Sequence, residues 1–318
     1  MMAERRESDE ANTQADAALK ASVIAVGGGK GGIGKTVVSA CLAMALAEAG
    51  RQVVLVDGDL GGSNLNTVMG MQMPSKTIYD FFSRKIPNLS DLVIETPFSR
   101  LKMIAGAPGT LGMANIKHWE KLKIMRHITQ LNAHYVVVDL GAGMSFNEID
   151  FFNLANVGIV VANPEPPSLQ ECYNFIKVAL LRRLRTLFSS NESVQEVLSG
   201  MDNNAYINET RPIFELIAEI SRRDAEAGRE VKIVVDDYRP YLLLNQLYDD
   251  SEKVEAYALR LAARDLLHVD VELMGTLPHS ARIREAIQEM QPAGLYGINL
   301  PVRRKLLEVV KKYFLASE

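Results

Sequence analysis

Residues 29–36, Gly-Lys-Gly-Gly-Ile-Gly-Lys-Thr, constrain the fold more than any other stretch of this chain. They follow a short apolar run, Val23-Ile24-Ala25-Val26, and precede an alanine-rich apolar stretch, 36–49, that stops at Gly50. A run of that length reads as a buried strand, and the stretch after it as a helix with a glycine stop. Residues 53–56 make a second buried strand that ends at Asp57. Strand, helix and strand at this spacing form a βαβ unit, so the sheet is predicted to be parallel.

The pattern G-x-x-x-x-G-K-[ST] at a strand-to-helix junction has a chemical meaning. Glycines let backbone N–H groups turn inward and approach phosphate oxygens without a Cβ in the way. The helix start adds its positive end. All eight residues, Gly29, Lys30, Gly31, Gly32, Ile33, Gly34, Lys35 and Thr36, are therefore candidate triphosphate contacts. Lys35 supplies a point charge to the terminal phosphates, and Thr36 offers a hydroxyl to Mg²⁺. The expected ligand is ATP with Mg²⁺.

Hydrolysis needs more than a phosphate cradle. Metal and attacking water require acceptors at the carboxyl ends of neighbouring strands. Asp139 ends the predicted strand 135–138 and is followed by Gly141-Ala142-Gly143. Asp57 and Asp59 follow the second strand in Val56-Asp57-Gly58-Asp59-Leu60-Gly61-Gly62. An aspartate in such a place also caps turns, and Asp57 suits that role as well as a chemical one.

The remaining chain keeps the rhythm. Strands are predicted at 101–104, 135–138, 157–161, 241–244 and 271–277, with helices at 117–131, 169–187, 251–267, 281–290 and 302–314. The result is an α/β fold with a doubly wound, mostly parallel sheet. Residues 189–239 break the alternation with polar turns and one helix, 212–223, that starts at a proline. They read as a partly helical insertion in a single domain, 21–318, while 1–20 reads as a disordered N-terminal tail. A net charge of −4 and a pI near 5.9 exclude a bulk basic field for nucleic acid. Cys41 and Cys172 without CxxC spacing argue for a reducing compartment and against a cysteine-held metal. No apolar run approaches a membrane span, and the start of the chain lacks the apolar core of a secretory signal. The protein is expected in the cytoplasm.

Taken together, these segments resemble a known family. Lys30 is an extra lysine near the start of the loop, and it resembles the deviant Walker A motif of the MinD/ParA ATPases. VDGDLGGSNL (56–65) and VVVDLGAG (136–143) resemble the two switch segments of that family. ANPEPPSLQECY (162–173) is similar to the strand-end segment that follows, and LLLNQL (242–247) and MGTLPHSARIREAI (274–287) are similar to its base-contacting strand ends; the first and last of these look closest to FlhG- and MinD-like members. The resemblance implies a P-loop NTPase fold of SIMIBI type and an ATP-hydrolysing switch that dimerises face to face on ATP. It implies that Lys30 reaches the phosphates of the partner copy, that Asp59 positions water and joins the metal shell, and that Asp139 lies in the Mg²⁺ shell. It places Asn245 and Pro278 at the adenine and Glu165 at the dimer face near the ribose. Such proteins position or count cellular structures, through flagellar, division or other positioning tasks.

The sequence leaves other outputs open. The 189–239 insertion has no counterpart in the resemblance and is the candidate surface for an unidentified protein partner. The final helix carries Arg303, Arg304, Lys305, Lys311 and Lys312 and is a candidate for a lipid surface, with peripheral attachment to the inner membrane; the same five residues with Arg182, Arg183 and Arg185 are candidate contacts for DNA phosphates. A packed helix with a solvated basic face is the preferred reading. An iron–sulfur carrier or reductase on the same core needs cluster-ligating cysteines. A tyrosine kinase of the related class needs a tyrosine-rich tail, where this chain has Tyr313 alone. An ATP-dependent small-molecule enzyme, such as a dethiobiotin-type ligase, also fits the fold.

Overall fold

The structure, a computed structural model, describes residues 20–59, 62–107, 118–200, 212–291, 294, 296–297 and 300–316. Eight strands form one sheet: β1 (Ser22–Gly27), β2 (Val53–Asp57), β3 (Ile94–Glu95), β4 (Leu101–Ile104), β5 (Tyr135–Asp139), β6 (Val157–Ala162), β7 (Tyr241–Leu247) and β8 (Glu272–Pro278). Their order is β3-β4-β2-β5-β1-β6-β7-β8. Every pairing is parallel except the short edge pair β3–β4, which is antiparallel. The described helices are α1 (Lys35–Glu48), α2 (Leu65–Val68), α3 (Ile78–Phe82), α4 (His118–Thr129), α5 (Phe146–Leu154), α6 (Pro166–Leu187), α7 (Glu192–Ser199), α8 (Ile213–Arg223), α9 (Ala225–Asp236), α10 (Glu255–Leu267), α11 (Ala281–Gln288) and α12 (Pro301–Tyr313).

Alternation along the buried strands divides the core in two. Val23 and Ala25 of β1 face the layer formed by α4 to α10, which Phe175 and Leu180 of α6 fill. Ile24 and Val26 face the opposite layer, where α1 and α12 pack through Leu42, Leu46, Leu306 and Val310. Strands buried on both faces read as continuous apolar runs, which is why the sequence revealed them. The doubly wound parallel sheet is as expected.

Two expectations change. The stretch 189–239 holds three described helices, α7, α8 and α9, where the sequence suggested one. They bury Val194, Leu198, Leu216, Ile220, Val231 and Val235 against the sheet's larger layer, so this insertion is built into the core rather than appended to it. The helix α5, directly after Gly143, was not anticipated either. Expectations for the tail fall on residues 1–19, outside the described residues.

The final helix behaves as the preferred reading has it. Val302, Leu306, Val309 and Val310 are buried. Arg303 pairs with Glu48, Lys305 with Glu308 and Lys312 with Glu272. On the other layer Arg182 pairs with Asp150, and Arg183 and Arg185 donate to the carbonyls of Asn153 and Leu198. Half of the basic groups proposed for DNA or lipid are thus paired with carboxylates of the fold, and Arg183 and Arg185 are tied to backbone carbonyls. Among the described residues, no helix is long and apolar enough to cross a membrane.

Candidate phosphate site and its switch segments

The loop between β1 and α1 closes over the carboxyl end of the sheet. Gly32 and Gly34 hold φ of 79° and 85°, a left-handed backbone that side chains resist, so glycine is required there. Gly34 is also the N-cap of α1, which leaves the first N–H groups of that helix facing the loop. Lys35, at the helix start, is 7% exposed, and its Nζ donates to the carbonyl of Lys30 at 2.9 Å. Burial lowers the pKa of Lys35, against the opposing pull of Asp139, Asp59 and Glu148. A buried cation beside the first N–H groups of a helix suits an anion.

Beneath the loop, Asp139 ends β5 next to Asp57 at the end of β2, and the two are register partners. Asp139 accepts a hydrogen bond from Ser39 Oγ at 2.8 Å and another from the hydroxyl of Thr36. Burial, helped by the neighbouring Asp57, pushes the pKa of Asp139 up to about 7. Asp57 accepts from Ser63 Oγ at 2.7 Å and from the N–H groups of Leu65 and Asp59 at 3.2 and 3.1 Å. Burial lifts its carboxyl to about 6. Asp57 therefore ties down the turn into α2, the capping role that its sequence position left open.

Asp59 lies further out. Its Oδ1 accepts from Gly62 N at 2.7 Å, and a Cβ built on Gly141 would stand 3.1 Å from its carboxylate. The same point on Gly141 lies 3.2 Å from Oε1 of Glu148. The two segments singled out as switches thus meet at one glycine. Sequence reading missed Glu148, and the signal was available: Ser145-Phe146-Asn147-Glu148 has the S-x-x-E spacing of a helix start, and Ser145 Oγ donates to Glu148. It also missed Ser39, the second hydroxyl on Asp139, which lies one helical turn after Lys35 and Thr36.

On the outer rim, Lys30 Nζ stands 3.5 Å from Glu165, the N-cap of α6. Asn245, buried at the end of β7, donates from Nδ2 to the carbonyl of Ile33 at 2.8 Å. Pro278 ends β8 and lines a cavity of about 370 Å³ with Leu247, Tyr248 and Thr276. The fold thus gathers all the candidate nucleotide residues along the carboxyl edge of β1, β2, β5, β6, β7 and β8. The cysteines are not gathered. Cys41 and Cys172 are buried in opposite layers of the core, and burial pushes the Cys41 thiol up to about 12. That removes the support for a shared iron–sulfur cluster within one chain.

Residues 24–293 match the family model of the CobQ/CobB/MinD/ParA nucleotide binding domain. The chain belongs to this family. Within the MinD/ParA group, it is 33% identical over 180 residues to the antiactivator FleN of Pseudomonas aeruginosa, which covers 55% of this chain and 63% of that protein. It is 32% identical over 154 residues to the septum site-determining protein MinD of Helicobacter pylori, covering 48% of this chain and 56% of the relative. The chain thus matches less than two thirds of the length of either relative. MinD of Pyrococcus horikoshii, solved as a complex with Mg-ADP, superposes with a TM-score of 0.62 at 20% identity, over 93% of this chain and 98% of that one. This last likeness shows that the fold is that of MinD.

Proposed function

We propose that this MinD/ParA-family chain binds ATP with Mg²⁺, hydrolyses it, and pairs face to face with a second copy while ATP is bound. The observation that carries the reading is the contrast between two lysines of one loop. Lys35 is folded inward, 7% exposed, where it meets the bound phosphates. The Lys30 side chain is 41% exposed on the rim, where it meets another molecule. A cation delivered from the second copy stabilises charge that develops in the transition state, the part an arginine finger plays elsewhere.

The other residues divide the work. Glycine amides of the loop and the start of α1 bind phosphate oxygens. Thr36 would hold Mg²⁺ through its hydroxyl, with Asp139 and Asp59 completing its surroundings. The fit is physical: Asp57 and Asp139 are adjacent buried carboxylates, a costly pair that a nearby cation relieves. Mg²⁺ there neutralises phosphate charge. Asp59, on the first switch segment beside Gly141, orients the attacking water. Asn245 and Pro278 face the base, and Glu165 lies at the paired face near the ribose. Loss of the terminal phosphate removes the shared contact, and the pair separates.

The output is regulation of position or number, the former supported by the name of the septum site-determining relative, with α7, α8 and α9 offered to a protein partner in the cytoplasm. Sedimentation velocity with and without a non-hydrolysable ATP analogue tests the core of this reading. Doubling of mass with the analogue is expected, together with phosphate release from ATP. A monomer under both conditions overturns the pairing.

A further inference from the structure

Gly141 is buried just past the end of β5, and two carboxylates close on it from different segments. A Cβ there would stand 3.1 Å from Asp59 Oδ1, on the first switch segment, and 3.2 Å from Glu148 Oε1, on α5. A single donor in front of Gly141 is therefore within hydrogen-bond reach of both oxygens. The next residue, Ala142, borders the phosphate loop: a Cβ on Gly31 would stand 3.7 Å from the Ala142 Cβ. Asp59 and Glu148 also both favour the charged form of Lys35, against its burial. The pair thus lies beside the loop and within the field of its buried lysine.

Glu148 is not spent on holding its helix. Ser145, the N-cap of α5, accepts from the N–H of Asn147, and its hydroxyl donates to Glu148 Oε2. A capping box would also send the glutamate back to the N-cap N–H, and among the described residues that bond is not made. Oε1 has no donor among them either. One oxygen is steadied and the other is left facing Gly141. The helix beneath is pinned through Asp150 to Lys121 and Arg182, so the carboxylate stands on a fixed frame. A water that donates to two acceptors turns its lone pairs away from both, which orients it for attack on an electrophile opposite.

We propose that Glu148 is a second water-positioning residue, which holds the attacking water together with Asp59. The inference rests on the reading that the chain hydrolyses ATP, and it adds a carboxylate to that reaction. The water oxygen bonds to the terminal phosphorus while the bond from that phosphorus to the bridging oxygen breaks, and the electron pair leaves with ADP. One water proton stays on the phosphate that forms. A carboxylate takes the other and releases it to solvent.

The test compares Glu148→Gln, Glu148→Ala and the double variant Asp59→Ala/Glu148→Gln in the full chain. The readouts are melting curves, titration with a non-hydrolysable ATP analogue, and phosphate release. Glutamine keeps the length of the side chain and an acceptor for Ser145, and loses the charge. Glu148→Gln is expected to melt with wild type, to bind the analogue with unchanged affinity and to lose at least about fivefold in kcat, because charged acceptors make the stronger bonds. Glu148→Ala is expected to lose about ten- to a hundredfold in kcat, the worth of a hydrogen bond to a charged group. Because both side chains hold one water, the double variant is expected to run no more than about threefold slower than Asp59→Ala alone. Wild-type kcat in Glu148→Gln, with early melting in Glu148→Ala, reduces the residue to a helix support and overturns the proposal. So does a loss confined to analogue affinity, and so do losses that multiply in the double variant. Wild-type protein that binds the analogue and releases no phosphate from ATP defeats the underlying reading instead.

Discussion

Lys30 Nζ and the carboxylate of Glu165 stand 3.5 Å apart, joining the rim of the phosphate loop to the first turn of α6. Their side chains are 41% and 59% exposed, so the attraction is screened and worth less than about 1 kcal/mol. Such a contact parks the lysine without committing it. Lys30→Ala is therefore expected to keep ATP affinity and to lose pairing with the analogue. Turnover is expected to drop roughly a thousandfold or more, the scale of a trans-acting cation in phosphoryl transfer. Sedimentation and phosphate release measure the two effects. A variant that pairs and turns over normally takes Lys30 out of the shared site.

Lys35 presents the opposite case. Its ammonium is buried, and burial lowers its pKa, so in the empty fold the charge is a cost rather than a support. Lys35→Ala is expected to weaken ATP binding at least about tenfold by removing a charge-assisted bond to phosphate. The nucleotide-free variant is not expected to melt earlier. Calorimetric titration paired with a melting curve checks both halves, and normal affinity in a folded variant contradicts the assignment.

Much of this site was legible because its chemistry is local. Gly29 to Thr36 are contiguous, and Asp59 and Asp139 lie just past apolar runs that mark strand ends. What was not legible depends on contacts that the chain makes by turning back on itself over spans that no motif marks. Asp57 looked like a candidate for chemistry, but only the fold brings Ser63 and the N–H of Leu65 onto its carboxylate. The helix α9 was hidden by Gly228 in its first turn, a poor helix former by propensity. That glycine is there because α8 crosses so closely that a Cβ would stand 2.0 Å from Ser221 Oγ. The left-handed backbone of Gln246 was not read from the sequence, where the predicted strand stops at residue 244.

Asp59 touches both switch segments, through Gly62 N at 2.7 Å and through its approach to Gly141. Asp59→Ala removes the acceptor proposed to orient water while leaving Lys35, Thr36 and Lys30 in place. ATP binding and pairing are expected to persist, with turnover reduced about a hundredfold to ten-thousandfold, the range of a positioned acid–base group. The clean readout is the lifetime of the pair after ATP is diluted away. It is expected to lengthen in step with the slower chemistry, and a pair that dissolves at the wild-type rate reassigns the role.

Asp150, 4% exposed, anchors the helix that follows the second switch. Its Oδ1 accepts from Arg182 Nε at 2.7 Å, and its Oδ2 accepts from Lys121 Nζ at 2.7 Å and Arg182 Nη2 at 3.0 Å. Lys121, itself buried, also donates to the carbonyl of Phe146 at 2.9 Å, at the start of the same helix. Burial raises the pKa of Asp150, but the bonds to Arg182 and Lys121 outweigh it, and the net shift is downward. A carboxyl whose folded pKa lies below its unfolded value of about 3.9 contributes stability above that pH and loses it as pH falls through the folded value. Asp150→Asn leaves the Lys121 ammonium buried without its counter-charge and is expected to cost about 3–5 kcal/mol at neutral pH. In urea titrations the gap between wild type and variant is expected to narrow as the pH drops below about 4. Because α5 starts directly after the Gly141–Ser145 segment, its amides are also expected to exchange faster in the variant. Equal urea midpoints at neutral pH show that the triad does not hold this helix.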